Sequence, residues 1–139
     1  MSKTIFVNLP VTDVKRSTAF YQAIGASKNE QFSDDTGSCM VFSDTIHAML
    51  LSHDKYRMFT SKKIADAKAS SAVLICVSAE SRDEVDATVE KAATAGGKAD
   101  PGPKQDYGFM YGRSFEDPDG HHWEIMWMDI AAAQKAMEK

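Results

Sequence analysis

The sequence predicts an α+β fold made of two βαβββ modules, because one order of patterns occurs twice along its 139 residues. Each half begins with an alternating apolar segment typical of a half-buried strand, residues 4–12 and residues 71–77. An amphipathic helix ending at glycine follows each segment, and short apolar stretches separated by turn residues come next. Two such units bury sheet faces that neither can bury alone, so we expect a binding site between them.

The first module is expected over about residues 4–53. Asp13 is placed as the N-cap of its helix, and Gly25 stands at the position where that helix should end. Three further apolar segments predict the remaining strands, around residues 31–32, 38–42 and 46–52.

The second module is expected over about residues 70–128. Ser81 and Glu84 form a capping box at the start of its helix, and Gly96-Gly97 closes it. A Pro/Gly-rich connection then leads to a hairpin around Asp117-Pro118-Asp119-Gly120. Between the modules we expect a linker over residues 54–69, and after them a short terminal helix over residues 129–139.

Composition restricts the functional class. A net charge of −4 without a Lys/Arg stripe argues against nucleic acid as a ligand. No apolar run approaches the roughly 20 residues of a membrane span, and the N-terminal residues do not resemble a signal peptide, so a cytoplasmic protein is expected. Cys39 and Cys76 form no CxxC pair and are expected to be reduced. The expected partner is a small molecule.

Two motifs then resemble a known family. Leu9-Pro10-Val11-Thr12-Asp13 precedes a helix with Phe20-Tyr21 and Gly25, and Phe115-Glu116-Asp117-Pro118-Asp119-Gly120-His121-His122-Trp123-Glu124 closes the second module. Together they resemble the vicinal-oxygen-chelate superfamily of glyoxalase I, extradiol dioxygenases and bleomycin-resistance proteins, over essentially the whole chain. The resemblance implies one glyoxalase-like domain, in which the two modules form a cupped mixed sheet with the helices on its outer face.

The resemblance also implies four metal-facing positions on the concave sheet. Counting from Asp13 and aligning the internal repeat places them at Phe6, Met49, Ala72 and Glu124. Only Glu124 is a plausible ligand, whereas a catalytic divalent ion typically takes about three protein ligands. We therefore expect no cofactor; the alternative is a divalent ion in a displaced site of His47, His122 and Glu124.

Strand pairing gives further candidate site residues. If Asp117 and Gly120 bracket a two-residue loop, Arg113 lies opposite Glu124, and Glu124 is either a salt-bridge partner or a catalytic group. Trp123 and Trp127 share the other face of the strand and should pack under a helix. The expected pocket contains Glu124 together with Phe6, Asn8, His47, Met49, Tyr111, Arg113, His122 and Met126.

Three functions follow from these residues. The favoured one is a metal-free protein of the bleomycin-resistance type that binds or sequesters an organic ligand. The alternative is a metal-dependent lyase or isomerase similar to lactoylglutathione lyase, with Glu124 as ligand and base. An extradiol dioxygenase ranks last, because neither histidine ligand position is filled. Apolar residues on both sheet faces predict a homodimer.

Overall fold

A computed structural model describes residues 3–138 of the chain. It contains two compact units, Met1–Ser70 and Ser71–Lys139. Their boundary coincides with the predicted start of the second module; a single domain formed by both modules stays a prediction. Residue 139 of the predicted terminal helix lies outside the described residues. Within the described part of the chain, every helix is too short or too polar to cross a lipid bilayer.

The first unit contains a four-stranded sheet in the order β1-β4-β3-β2. β1 and β4 are parallel, and the other neighbouring strands are antiparallel. This unit therefore has the predicted βαβββ order, although β2 is longer than the short apolar segment suggested. The bounds are β1 Ile5–Val11, α1 Val14–Ala23, β2 Ser27–Asp34, β3 Gly37–Val41, β4 Ile46–Ser52 and α2 His53–Tyr56.

Helix α1 begins and ends where the sequence predicted. The Asp13 side chain accepts a hydrogen bond from the Arg16 amide, and Gly25 follows the helix with φ +109°, a conformation that favours glycine. The helix buries Phe20 and Tyr21 against the sheet. The predicted linker is partly helical, because α2 begins where the Ser52 hydroxyl accepts a hydrogen bond from the Lys55 amide.

The second unit contains a sheet in the order β5-β9-β8-β6, with the short strand β7 also paired to β8. Strand β5 begins at Ile75, so Ala72 lies outside it and the predicted strand over residues 71–77 is too long at its start. The bounds are β5 Ile75–Ser78, α3 Arg82–Thr94, β6 Lys98–Ala99, β7 Gln105–Asp106, β8 Met110–Glu116, β9 His122–Met128 and α4 Ile130–Met137.

The β8–β9 turn is one residue longer than the sequence analysis assumed. The Asp117 amide donates to the His121 carbonyl oxygen, and Gly120 has φ +91°, so the loop has three residues rather than two. Glu124 is therefore opposite Ser114, and Arg113 is opposite Ile125. Because side chains alternate between sheet faces, the predicted Arg113–Glu124 pair is wrong: the two side chains lie on opposite faces.

Arg113 instead connects the sheet to helix α3. Its guanidinium donates to both carboxylate oxygens of Asp100, at 2.6 and 3.0 Å. It also donates to Asp86 at 2.9 Å and to Glu90 at 3.2 Å, and the residue is only 7% exposed. Tyr111, on the same face, donates its hydroxyl to Asp86 at 2.6 Å. This charged cluster of Arg113, Asp86, Glu90 and Asp100 binds the helix and the β6–β7 connection to strand β8.

The two tryptophans lie on this helix-facing side, as predicted. Trp123 is buried and stacks on Phe115, with ring centroids 6.3 Å apart. The Arg82 guanidinium lies over the rings of Trp127 and Tyr111, at 5.4 and 4.9 Å from their centroids. Cation–π contacts at the start of α3 thus complement the charged cluster farther along the helix.

We predict that Arg113→Met destabilises the protein by about 1–3 kcal/mol, because it removes charged hydrogen bonds and leaves three carboxylates without their shared cation. Urea unfolding measures the change in the free energy of unfolding. Arg57→Met is the matched control, since Arg57 pairs only with the exposed Asp54 side chain among the described residues and should have little effect. The effects of Glu124→Gln and Arg113→Met on the free energy of unfolding should be additive in the double variant. A coupling energy above roughly 0.5 kcal/mol would instead support a direct Arg113–Glu124 pair.

The charged cluster also predicts acid sensitivity. The Tyr111 hydroxyl and the Arg113 guanidinium hold the pKa of Asp86 below 3.8, and Arg113 does the same for Asp100. A lowered folded-state pKa stabilises the fold above the unfolded-state value, and this contribution is lost as pH falls through the folded-state value. These carboxylates titrate roughly between pH 5 and pH 2. Over this range, the free energy of unfolding should therefore fall more steeply with decreasing pH for the wild type than for Arg113→Met. Equal slopes would contradict the assignment.

Candidate functional site

The second unit contains a cavity of about 270 Å³ on the sheet face opposite α3. Its walls come from β7, β8 and β9, from β5 with the residue that precedes it, and from the connection between β6 and β7. Most of its lining is apolar, with a small number of polar groups, which is the usual composition of a small-ligand pocket. The lining residues are Leu74, Cys76, Gly102, Pro103, Gln105, Met110, Gly112, Arg113, Ser114, His122, Glu124, Ile125 and Met126.

Glu124 lies in the middle of this wall, on strand β9. Its neighbours across the sheet are Cys76 on the parallel strand β5 and Ser114 on the antiparallel strand β8. His122 and Met126 flank it on the same face, two residues away in each direction. Three of the predicted pocket residues, His122, Glu124 and Met126, are therefore brought together.

The pKa of the Cys76 thiol is affected by the neighbouring Glu124 carboxylate. Partial desolvation raises the pKa of Cys76, and the nearby Glu124 carboxylate raises it further. A thiol with a raised pKa stays protonated at neutral pH. Cys76 is therefore an uncharged lining residue of the cavity and a poor nucleophile.

One rim of the cavity is fixed by hydrogen bonds to strand β8. The Gly102 amide donates to the Ser114 hydroxyl oxygen at 3.0 Å, and the Asp100 amide donates to the Ser114 carbonyl oxygen. Asp100 has φ +51° and receives the two hydrogen bonds from Arg113. Residues 100–103 are thus anchored from both sides of β8, and Gly102 and Pro103 are held against the cavity.

Two predicted pocket residues require correction. Arg113 borders the cavity through its position in β8, but its guanidinium lies on the α3 side, and the Tyr111 hydroxyl points to Asp86 on that same side. The three-residue turn is the reason, because it shifts the pairing of β8 by one residue. Neither side chain supplies charge to the cavity.

Four other predicted pocket residues lie in the first unit. β1 and β4 pair Phe6 with His47 and Asn8 with Met49, so the four side chains share one sheet face. The Phe6 and His47 rings stack with centroids 4.6 Å apart, and the His47 Nδ1 atom is buried without a hydrogen-bond partner among the described residues. These contacts establish a local cluster within this unit.

The metal positions that the family resemblance implies do not fit a metal. Phe6 presents a ring that stacks on His47, Ala72 has no donor atom, and Met49 offers only a thioether, which leaves Glu124. Among residues 3–138, no three His, Cys, Asp or Glu side chains are grouped closely enough to hold a metal ion.

Sequence reasoning missed several cavity residues, and the reasons differ. Ser114 and Met110 would have been found with the correct turn length, since they alternate with Arg113 along β8. Cys76 alternates with Val77 and faces Glu124, so the internal repeat contained the signal. Pro103 comes from an irregular connection and Gln105 from the two-residue strand β7, and periodicity gives no information about such irregular or very short segments.

Comparison with known proteins agrees with this architecture. The family model described as the Glyoxalase/Bleomycin resistance protein/Dioxygenase superfamily matches residues 5–125. A search of curated protein sequences found no significant match.

Several solved structures share the fold. A hypothetical protein from S. aureus is 24% identical, with a TM-score of 0.75, covering 91% of this chain and 94% of that one. A glyoxalase/bleomycin resistance protein/dioxygenase family enzyme from Burkholderia phytofirmans is 18% identical, with a TM-score of 0.75, covering 91% and 99%. The fosfomycin resistance protein FosX from Listeria monocytogenes is 21% identical, with a TM-score of 0.64, covering 91% of each chain. The chain belongs to the glyoxalase/bleomycin resistance protein/dioxygenase superfamily.

Proposed function

We propose that this protein binds an organic small molecule in the cavity of its second unit, without a catalytic metal. One observation supports the proposal: of the four positions that the family resemblance assigns to a metal, only Glu124 has a suitable ligand side chain. The apolar walls formed by Leu74, Met110 and Met126 favour the skeleton of an organic ligand. Binding or sequestration in the cytoplasm, of the kind associated with bleomycin-resistance proteins, is the function that these residues support best.

A lyase or isomerase of the glyoxalase type is the second candidate. It is favoured by one observation: Glu124 faces the cavity and has no ion-pair partner among the described residues, so it is available as a general base. An extradiol dioxygenase ranks below both, since neither of its two histidine ligand positions is filled in this sequence.

We predict that Ni²⁺, Zn²⁺, Fe²⁺ and chelators leave the melting temperature nearly unchanged, because metal binding stabilises a fold only when the folded state supplies a ligand set. Native mass spectrometry of protein purified without chelator should show an organic adduct or the bare chain. Glu124→Ala is the control that separates binding at the cavity from binding elsewhere. A stoichiometric metal that is lost in Glu124→Ala would favour the lyase or isomerase.

We also propose that the protein forms a homodimer. β1 and β5 lie at the ends of their sheets, and exposed apolar side chains occur on or next to them: Ile5, Phe6, Val73 and Leu74 are 53–60% exposed. Open sheet edges with apolar side chains favour association with another chain.

Sedimentation velocity at micromolar concentration tests the dimer. We expect a species of twice the 15.3 kDa chain mass. Phe6→Glu should shift the distribution toward the monomer, because it places a charge among these apolar side chains. Phe32→Glu is the control, since Phe32 is also exposed (63%) but lies on the opposite edge strand β2. A wild-type protein that sediments only at 15.3 kDa would remove the proposal.

A further inference from the structure

Glu124 is the one carboxylate in the lining of the cavity, and the described residues supply no cation to balance it. The ion pairs of the second unit join Arg82 to Asp106, and Arg113 to Asp86, Glu90 and Asp100. Glu124 has no hydrogen bond or ion pair within residues 3–138. Its carboxylate therefore faces an apolar pocket with its acceptor positions open.

The nearest guanidinium cannot relieve this charge. Arg113 is surrounded by three carboxylates on the α3 side of the sheet, and their hydrogen bonds, led by those of Asp100, raise the pKa of Arg113 further. One positive charge is thus outnumbered by three negative charges in that cluster. The Arg113 guanidinium is therefore engaged on the far side of the sheet and is not available to Glu124.

Two lining residues have basic side chains: Arg113, whose guanidinium lies on the α3 side, and His122, two residues before Glu124 on the same face. The remaining polar groups of the lining are neutral donors or acceptors. Ser114 is engaged with the Gly102 amide, Gln105 offers an amide that accepts a hydrogen bond from the Tyr107 hydroxyl, and the Cys76 thiol stays protonated. An anionic ligand would meet the Glu124 carboxylate, while the Arg113 guanidinium is bonded to carboxylates on the α3 side of the sheet. A cationic ligand would supply what Glu124 lacks, since an unpaired charge in a partly desolvated site is costly.

The apolar walls define the remainder of the ligand. Met110, Met126 and Leu74 line the cavity with flexible or branched apolar surface, and Pro103 adds a rigid edge. Methionine side chains adapt to irregular shapes and make favourable contacts with aromatic rings. A cavity of about 270 Å³ accommodates a small skeleton of this kind rather than a polymer.

We propose that the ligand is a small organic cation, an amine or amidine on an apolar skeleton, whose N–H groups donate to the Glu124 carboxylate. This inference rests on the proposed function, because it assumes that the cavity holds an organic molecule. Charge-assisted hydrogen bonds of this kind are stronger than neutral ones and select the charge of the ligand.

Three probes of nearly equal shape separate charge from shape: benzamidine is cationic, benzamide is neutral and benzoate is anionic. Methyl NMR of the methionines locates binding, because Met110 and Met126 line the cavity whereas Met40 is buried in the first unit. We expect benzamidine to shift the Met110 and Met126 signals and to bind at least tenfold more tightly than benzamide, with benzoate weaker still.

Glu124→Gln should remove the tenfold preference for benzamidine and leave benzamide binding unchanged. Glu30→Gln is the matched control, because it deletes the same charge from an 80% exposed side chain in the first unit and should preserve the preference. Equal binding of benzamide and benzamidine, or a preference for benzoate, would overturn the cation while leaving the organic pocket intact. Failure of all three probes to shift either cavity methionine would overturn the proposed function as well.

Discussion

The hydrogen bonds of Asp117 at the β8–β9 turn determine the arrangement of the second unit. The Asp117 carboxylate accepts from the amides of Asp119 and His121, and the Asp117 amide donates to the His121 carbonyl oxygen. A loop of three residues results, and it sets every cross-strand pair from Glu116–His122 to Met110–Met128. Because a shift of one residue would move a whole strand to the other face, this turn decides which charges face the cavity.

With that register, Arg113 and Glu124 lie on opposite faces of the sheet. The Arg113 guanidinium points to the α3 side and donates hydrogen bonds to carboxylates there. Glu124 lies on the cavity side, where much of the lining is apolar. The same arrangement anchors residues 100–103, which form one rim of the cavity. The stability of the helix-facing side and the chemistry of the cavity therefore both follow from the register of β8 against β9.

The sequence was informative where periodicity and capping rules apply. The βαβββ order of the first unit, the strand and helix that open the second unit, the Asp13 and Ser81 caps, and the position of Glu124 on a sheet face were all predictable from local patterns. The turn at Asp117 was not, because Asp-Pro-Asp-Gly is compatible with loops of two or three residues. That one-residue difference misplaced Arg113 and Tyr111, and the cavity residues from the β6–β7 connection carry no periodic signal.

Under the proposed function, the cavity around Glu124 holds an organic molecule and no metal. The most direct measurement is a crystal structure of protein purified without chelator, with anomalous diffraction recorded above the absorption edges of nickel, zinc and iron. We expect organic electron density between Glu124 and the side chains of Met110 and Met126, without an anomalous peak. An anomalous peak bonded to Glu124 and to further protein ligands would contradict the account.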